Sequence, residues 1–288
     1  MSRTPGAVRI GVDAGGTGTR AVVTRDGAVI DRPSGGPLNV LLHPDALDRL
    51  AAMITASGAT QAGLGLAGVR TPLEADRIAA ELESRTGAVV AVGDDAESAL
   101  LGAFDGAPGI VVIAGTGSAA FGRSAQGHAC RVGGHGYLLG DEGGGYWVGN
   151  QAVRRALTSH DGTGAVAPGL EALVRKHFGV DEVTQVEGVV YAAPTDRAAL
   201  AGLVPSLSGS DDPAVAEIFH EAATSLASLV TAVRDRLGPL PVSMIGGVWN
   251  VPAIRARFVA LTGAAEPLHP PEWGALLLLD QPLPEETM

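Results

Sequence analysis

Three glycine-rich stretches occur in this chain, and each one follows an apolar run typical of a β-strand. They are VDAGGTGTR at Val12–Arg20, IAGTGS at Ile113–Ser118 and MIGGVWN at Met244–Asn250. Glycines at the end of a strand let an anion approach the backbone N–H groups without interference from side chains. Together the three stretches predict a nucleotide site.

The residues after the first stretch distinguish it from the common phosphate-binding loops. A strand continues at Ala21–Val23, Asp26-Gly27 forms a turn, and a further strand follows at Ala28–Ile30. A Walker loop or a dinucleotide-binding fingerprint would open a helix instead. The only lysine, Lys176, lies in no glycine-rich motif. Backbone amides, hydroxyl groups and a metal ion must therefore meet the phosphate charge.

Asp13 ends the first predicted strand, directly before the glycines. Because Mg²⁺ keeps most of its waters and takes one or two carboxylates together with phosphate oxygens, we expect Asp13 to be the carboxylate on the Mg²⁺ side of the site. An Asx-type turn that opens a β-hairpin is the alternative interpretation of the same residues.

Composition limits the class of protein. A chain of 288 residues with 46% apolar residues can form two cores, so we expect two domains that share a cleft. The net charge of −11, without a basic cluster, argues against nucleic acid or an anionic membrane as a partner. Cys130 is the only cysteine, which excludes an internal disulfide and a cysteine-rich zinc site. The first residues contain no signal-type apolar segment, and we expect a soluble cytoplasmic protein.

The predicted elements occur in a similar order in two halves. The first half has the order βββαβαβ, followed by a helix at about 96–104 and a turn at 105–109. Strands around the second glycine loop begin the second half. Later elements are helices at about 142–159, 169–178 and 213–237 and a strand at 241–245. We therefore predict an α/β fold of two duplicated domains, 1–108 and 109–288, with the nucleotide between them.

Five segments carry a resemblance to a known family. In chain order they are VDAGGTGTR, VGDDAESALLGAF, VVIAGTGSAAFGR, GGHGYLLGDEGGGYWVGNQAV and MIGGVWN. They resemble the BadF/BadG/BcrA/BcrD group of ATPases, and within it the N-acetylglucosamine kinases. This resemblance implies two ribonuclease-H-like, actin-like ATPase domains that flank a nucleotide cleft. It also implies that the C-terminal helix near 271–280 packs back on the first domain, that ATP and Mg²⁺ are cofactors, and that a sugar hydroxyl accepts the phosphoryl group.

The resemblance also assigns roles to the matching residues. Asp13 would be the metal-side carboxylate, and Asp95 would be the catalytic base and contact the sugar. Asn39 and Asp141 would bind sugar hydroxyls. The nucleotide would contact Gly15, Gly16 and Thr17 at its β- and γ-phosphates, Gly115, Thr116, Gly117 and Ser118 in a second phosphate loop, and Gly246 and Gly247 at the adenosine.

Each of these residues also has a structural interpretation. An N-cap of the following helix is the less favoured alternative for Asp95. Its neighbour Asp94 is expected to be a solvated turn carboxylate, although the two aspartates could exchange roles. Asp141 and Glu142 are also suitable acids for the first turn of a helix. Asn39 is otherwise an ordinary loop asparagine.

Three departures from the family pattern leave the identity of the sugar open. His135 stands where these kinases usually have tryptophan, Gly144 replaces a frequent serine, and Ala119 replaces an asparagine that eukaryotic members place in the sugar pocket. The predicted function is ATP-dependent phosphorylation of N-acetylglucosamine at its 6-hydroxyl. Glucosamine or another hexosamine is the alternative acceptor, and the expected partners are the sugar and ATP, with a homodimer left open.

Two other classes of function share these loops. The ATPase activators of 2-hydroxyacyl-CoA dehydratases and benzoyl-CoA reductases hold an iron–sulfur cluster with two cysteines per chain, and the single cysteine argues against this class. A non-catalytic, nucleotide-dependent regulator is the other alternative, and the presence of both Asp13 and Asp95 disfavours it.

Overall fold

A computed structural model describes residues 6–16, 18–192 and 197–281 of the chain, which divide into two compact units. Unit 1 contains the described residues up to Pro108 together with those from Pro267 onwards, and unit 2 is Gly109–Glu266. Each unit has its own sheet, which confirms the predicted α/β class. In the described part of the chain, no helix is both long and apolar enough to cross a membrane.

Strands and helices alternate from β4 to β7, and runs of strands or of helices make up the rest of the described chain. The strands are β1 Val8–Ala14, β2 Thr19–Arg25, β3 Ala28–Asp31, β4 Ser34–Gly35, β5 Gln61–Leu66, β6 Val89–Asp94, β7 Gly109–Ala114, β8 Ser118–Arg123, β9 Ala129–Gly133 and β10 Val242–Ile245. The helices are α1 Ala46–Ser57, α2 Pro72–Thr86, α3 Asp95–Ala103, α4 Gly145–His160, α5 Pro168–Phe178, α6 Val186–Ala192, α7 Arg197–Ala201, α8 Val204–Leu207, α9 Pro213–Leu237, α10 Pro252–Thr262 and α11 Pro271–Leu278. Short 3₁₀ turns occur at Val183–Gln185 and Gly247–Asn250.

The sheet of unit 1 has the strand order β3-β2-β1-β5-β6, and β4 also pairs with β2. The central strand β1 is antiparallel to β2 and parallel to β5, which in turn is parallel to β6. One face of β1 is fully apolar, because Ile10, Val12 and Ala14 are buried in the core formed with α1 and α2. The carboxyl ends of β1, β5 and β6 lie at one edge, where ligands bind in open α/β sheets.

Glycines line the opposite face of the same sheet. Gly11 in β1 is paired in register with Gly63 in β5, and a Cβ on Gly63 would lie only 2.7 Å from the carbonyl carbon of Ala275 in α11. A Cβ on Gly11 would lie 2.8 Å from Cγ of Leu276. The backbone of α11 therefore packs directly on the strands, which only glycine at these positions allows.

Helices α3 and α11 also meet with their backbones in contact. A Cβ on Gly102 of α3 would lie 2.6 Å from the carbonyl oxygen of Pro270, and a Cβ on Gly274 would lie 2.9 Å from Cα of Gly102. Leu101, Ala275 and Leu278 form a small buried cluster between the two helices. The final helix is thereby an integral part of unit 1.

Unit 2 repeats the arrangement around a smaller sheet with the order β10-β7-β8-β9. Its strand β7 is parallel to β10 and antiparallel to β8, as β1 is to β5 and β2 in unit 1. An isolated parallel bridge joins Ser243 to Ala265 at the outer side of β10. Helix α9 packs across β7, β8 and β9, and its Leu226, Val230 and Val233 are buried in the core of the unit.

The structure differs from the sequence prediction at the start of one helix and in four additional helices. Helix α4 begins at Gly145 rather than near residue 142, because the preceding residues form a loop with Gly143 at φ 80°. Helices α6, α7, α8 and α10 were not predicted. The amphipathic pattern of α10 is weak, because Leu261 is exposed although Ile254 and Phe258 are fully buried.

Candidate active site

Two carboxylates meet at the carboxyl edge of the unit 1 sheet. Asp13 is near the end of β1, and Asp95 is the first residue of α3, directly after β6. The pKa of Asp13 is raised to about 7: burial is the main cause, the negative charges of Asp95 and Glu272 contribute to the rise, and the positive charge of Arg20 opposes it. The structure therefore brings the predicted metal-side carboxylate and the predicted base into one electrostatic environment.

The two adjacent aspartates have different roles in α3. Asp94 is the N-cap, and its Oδ1 accepts a hydrogen bond of 2.5 Å from the backbone N–H of Glu97. The expectation that Asp94 is a solvated turn carboxylate is therefore wrong, since it satisfies one of the unpaired N–H groups at the helix start. Asp95 is inside the first turn and is half-buried, so it is not the cap.

The first glycine loop is a tight turn in which Gly15 donates its N–H to the carbonyl of Gly18 at 3.0 Å. Gly15 also accepts a hydrogen bond from the N–H of Leu38, which ties the loop to the segment that contains Asn39. Gly16 is exposed, has no positive φ, and has no atom within 4 Å of the place that a Cβ would take. Contacts with the other described residues do not require glycine at this position, whereas close approach of a ligand would. Thr17 lies outside the described residues.

Asn39 is half-buried in the loop after β4 and forms local hydrogen bonds. Its side-chain Oδ1 accepts the N–H of Leu41 at 2.9 Å, and its own backbone N–H donates to Nδ1 of His43 at 3.0 Å. These contacts fix the loop as an Asx turn. Among the described residues no hydrogen bond occupies the Nδ2 group of Asn39, so this is the part of the side chain that can donate to a sugar hydroxyl.

The second phosphate loop packs on the start of α4 in unit 2. Gly115 donates its N–H to the carbonyl of Gly117 at 3.0 Å. The first N–H groups of α4 donate in turn to the loop, from Gly145 to Gly115 at 2.7 Å and from Tyr146 to Thr116 at 2.9 Å. No atom lies within 4 Å of a Cβ placed on Gly115, as at Gly16. The loop is thus held from one side and accessible at Gly115.

Asp141 is buried beside this loop with a left-handed backbone, φ 63°. A Cβ on Gly117 would lie 2.8 Å from Cγ of Asp141, so the aspartate packs against the glycine backbone. Ser118 binds the same segment through a hydrogen bond from its Oγ to the carbonyl of Glu142 at 2.8 Å. Asp141 and Glu142 both precede α4, and their interpretation as acids of its first turn is wrong. A non-glycine residue with this backbone is strained and is often found in functional sites.

The third glycine stretch lies next to the second phosphate loop. Gly246 follows β10 with φ 120°, and a Cβ on it would lie 2.6 Å from the carbonyl carbon of Ala114 and 3.0 Å from the nitrogen of Gly115. Gly247 is exposed, and no atom lies within 4 Å of the position of its Cβ. The two glycine stretches of unit 2 are therefore in contact at the carboxyl ends of parallel strands β7 and β10.

The predicted sugar ligands do not all lie in one unit, since Asn39 and Asp95 belong to unit 1 and Asp141 belongs to unit 2. Sequence reasoning missed two charged neighbours of Asp13. Arg20 is its cross-strand partner in β2, which the register of the predicted hairpin would have indicated. Glu272 is the single charged residue within the helix sequence PEWGALLL, a signal that was overlooked.

Comparison with known proteins identifies the family of this chain. The model of the BadF/BadG/BcrA/BcrD ATPase family matches residues 10–278, which include all three glycine stretches and both aspartates. The chain belongs to the BadF/BadG/BcrA/BcrD ATPase family. The resemblance inferred from the sequence motifs is thereby confirmed.

Members of this family with named activities are among the relatives. An N-acetylmuramic acid/N-acetylglucosamine kinase from Clostridium acetobutylicum is 32% identical over 168 residues, which are 56% of this chain and 55% of that kinase. The chain thus matches about half the length of that relative. A glucosamine kinase from Vibrio cholerae is 25% identical over 286 residues, 90% of this chain and 96% of the kinase.

A solved structure has the same fold over nearly its full length. It is a protein from Chromobacterium violaceum, provisionally named an N-acetylglucosamine kinase, with 29% identity and a TM-score of 0.77. The match covers 95% of this chain and 99% of that protein. The two-domain fold that the BadF-type motifs implied is therefore confirmed.

Proposed function

We propose that this chain is a kinase that transfers the γ-phosphoryl group of ATP to an amino sugar, with the 6-hydroxyl of N-acetylglucosamine as the acceptor. The observation that carries this proposal is that two carboxylates, Asp13 and Asp95, interact electrostatically beside a glycine loop at the carboxyl edge of the unit 1 sheet. Membership of an ATPase family supports ATP as the donor. Relatives named as kinases of N-acetylmuramic acid, N-acetylglucosamine and glucosamine support an amino-sugar acceptor.

The described residues fit a complex of Mg²⁺ and ATP. Gly16, Gly115 and Gly247 have open space where a Cβ would lie and no backbone need for glycine, which is what close approach of a nucleotide requires. Asp13 is a carboxylate in a negative environment, and it is the side chain that would hold Mg²⁺. When bound, Mg²⁺ neutralises charge on the transferred phosphoryl group.

The position of Asp95 supports its proposed role as the base. Because Asp94 caps α3, Asp95 lies in the first turn, where the helix dipole stabilises a negative charge. Its carboxylate would orient the acceptor hydroxyl and take the proton as the new P–O bond forms. Phosphoryl transfer depends mainly on such positioning, so small changes at this position should reduce turnover more than binding.

Each unit contains a polar group that could bind a sugar hydroxyl. Asn39 offers its Nδ2 group, and Asp141 offers a carboxylate that the fold holds in a strained conformation. Ala119 is 7% exposed and has only a methyl group, so it cannot donate to an acetamido oxygen. A pocket discriminates strongly only when a mismatched ligand leaves its polar groups unpaired. We therefore expect N-acetylglucosamine to be preferred over glucosamine by a modest factor.

An ADP-release assay across a sugar panel tests the function. The panel contains N-acetylglucosamine, glucosamine, N-acetylmuramic acid and glucose, and NMR of the product identifies the phosphorylated hydroxyl. The matched variant Ala119→Asn should increase the preference for N-acetylglucosamine over glucosamine by supplying an amide partner. ADP release that no sugar stimulates would contradict the kinase and favour an ATPase activator or a regulator. The cytoplasmic location and the homodimer remain predictions, and light scattering would test the latter.

A further inference from the structure

Glu272 is a buried carboxylate that the proposed transfer does not use. It lies in the first turn of α11 and is 7% exposed. Its Oε1 is 3.7 Å from Nη1 of Arg32, which is longer than a hydrogen bond, and the Arg32 side chain is 56% exposed. Its Oε2 is fully buried and has no hydrogen-bond partner among the described residues. An ionised carboxylate in such a place is costly unless another partner binds it.

The position of Glu272 relates it to Asp13. The carbonyl oxygen of Glu272 packs on Gly11, which precedes Asp13 by two residues and faces the same side of β1. The charges that act on Asp13 are the carboxylates of Asp95 and Glu272 and the guanidinium of Arg20. Two negative groups and one positive group thus act on a third carboxylate, and a cation would neutralise the excess negative charge.

We propose that Glu272 is a positioning residue for the divalent cation at Asp13, with Oε2 accepting a hydrogen bond from a cation-bound water. The inference rests on the proposed function to the extent that a metal–nucleotide complex binds at Asp13. Mg²⁺ retains several waters in protein sites, and these waters are hydrogen-bond donors. Acceptors outside the first coordination shell typically change metal affinity by about 10- to 100-fold.

The test measures metal binding directly. Mn²⁺ is the probe, followed by electron paramagnetic resonance in the presence of a non-hydrolysable ATP analogue and without sugar. Glu272→Gln has the same shape and no charge, and we expect it to weaken Mn²⁺ binding by about 10-fold or more. Turnover should recover when the Mg²⁺ concentration is raised. An unchanged Mn²⁺ affinity would overturn the proposal.

Arg32→Gln is the matched control, because it removes the ion-pair partner of Glu272 and leaves the carboxylate in place. If Glu272 served only to bind Arg32, both variants would weaken Mn²⁺ binding equally, and that result would overturn the proposal. We expect Arg32→Gln to keep or increase Mn²⁺ affinity. Should Glu272→Gln unfold, Glu272→Asp keeps the charge on a shorter side chain, and its Mn²⁺ affinity should fall below that of the unaltered chain.

Failure of this inference is distinguishable from failure of the proposed function. The Mn²⁺ measurement needs no sugar and no turnover. If the unaltered chain phosphorylates no sugar, the proposed kinase is contradicted, but the loss of Mn²⁺ affinity in Glu272→Gln can still be measured. Absence of nucleotide-dependent Mn²⁺ binding in the unaltered chain would overturn the inference whatever the sugar panel shows.

Discussion

Asp13 has a carboxylate that the proposed chemistry needs ionised and that the fold holds at a raised pKa, about 7. Burial is the main cause, and the neighbouring carboxylates Asp95 and Glu272 add to it. Burying a charge is favourable only with a partner, which a bound cation would supply. The ionised Asp13 carboxylate is therefore unfavourable by itself, and a bound cation would stabilise it.

We expect Asp13→Asn to lose most kinase activity at all Mg²⁺ concentrations, because the amide cannot replace the carboxylate as a metal ligand. Steady-state kinetics at saturating ATP and the best sugar of the panel measure this loss. A matched control is Asp280→Asn, which removes a carboxylate that lies just after the end of α11 and binds Arg9 at 3.0 Å. Near-normal turnover of Asp13→Asn would contradict the role of Asp13.

The same substitution should change how stability depends on pH. In the folded chain Asp13 keeps its proton up to about pH 7, whereas the ordinary pKa of an aspartate side chain is 3.8. Between these values the folded state binds more protons, so the free energy of unfolding falls as pH rises. The loss is on the order of 1.4 kcal/mol per pKa unit. Without metal at pH 7.5, Asp13→Asn should unfold at a higher urea concentration than the unaltered chain. At pH 4.5 the difference between the two urea midpoints should be smaller. The opposite trend would contradict the raised pKa.

Asp95→Ala and Asp94→Ala should separate catalysis from capping. Asp95→Ala should lower turnover by roughly 10²-fold or more, the usual effect of removing a general base, and keep nucleotide affinity. Asp94→Ala should lower stability by about 1 kcal/mol through loss of the N-cap, with a smaller effect on turnover. Calorimetry, kinetics and urea unfolding give the three readouts. Equal losses of turnover in both variants would contradict the assignment of the base to Asp95.

At the scale of elements, glycines decide where α11 lies. Gly11 and Gly63 let its backbone rest on β1 and β5, and Gly102 and Gly274 let it meet α3 without intervening side chains. Helix α11 is only eight residues long, too short to be stable alone. Its position, and with it that of the carboxylate at its start, depends on these backbone contacts.

Gly63→Ala should therefore destabilise unit 1 by about 1–3 kcal/mol, since the added methyl group would overlap the backbone of Ala275. Trp273 lies in α11 and reports on this unit when Trp147 and Trp249 are replaced by phenylalanine. Urea unfolding followed by its fluorescence gives the change. Gly188→Ala is the control, because it has open space in α6 and should leave unit 1 unaltered. Equal stability of both variants would contradict the backbone packing.

At the scale of the whole molecule, unit 2 is formed by one continuous segment of the chain, whereas unit 1 is formed by two. Unit 2 is the continuous segment Gly109–Glu266, whereas unit 1 needs α11 from beyond that segment. Arg9 near the start of β1 donates a hydrogen bond of 3.1 Å to the carbonyl of Leu276, and Gly102 packs on Pro270 just before α11. Contacts with the first part of the chain therefore hold α11 at both of its ends. Removal of the chain end should therefore affect the first unit rather than the second.

A chain truncated after Glu266 should lose the protection of unit 1 against proteases and keep that of unit 2. Limited proteolysis with mass spectrometry should then show a resistant fragment that begins near Gly109. Truncation after Gln281 retains α11 and serves as the control, with both units protected. Loss of unit 2 in the shorter chain, or retention of unit 1, would contradict this dependence.

Local sequence determined much of the fold and the site of this protein. Turn residues between two apolar runs predicted the hairpin after the first glycine loop. Apolar periodicity and the Asp-Pro start signal predicted the bounds of α9. The positions of Asp13 near the end of β1 and of Asp95 directly after β6 were predictable from the apolar runs that precede them, and the roles of both residues remain predictions. The motifs also predicted the family, since their order along the chain is itself part of the sequence.

Tertiary structure decided what depends on contacts between distant residues. Asp141 acquires its strained backbone in a loop packed against Gly117, and Asp94 rather than Asp95 is the cap because of where β6 ends. Glu272 acts on Asp13 only because glycines in β1, β5, α3 and α11 itself let the backbone of α11 pack on the sheet and on α3. A side chain's pKa and partners are set by burial and neighbouring charge, which the order of residues along a chain does not by itself contain.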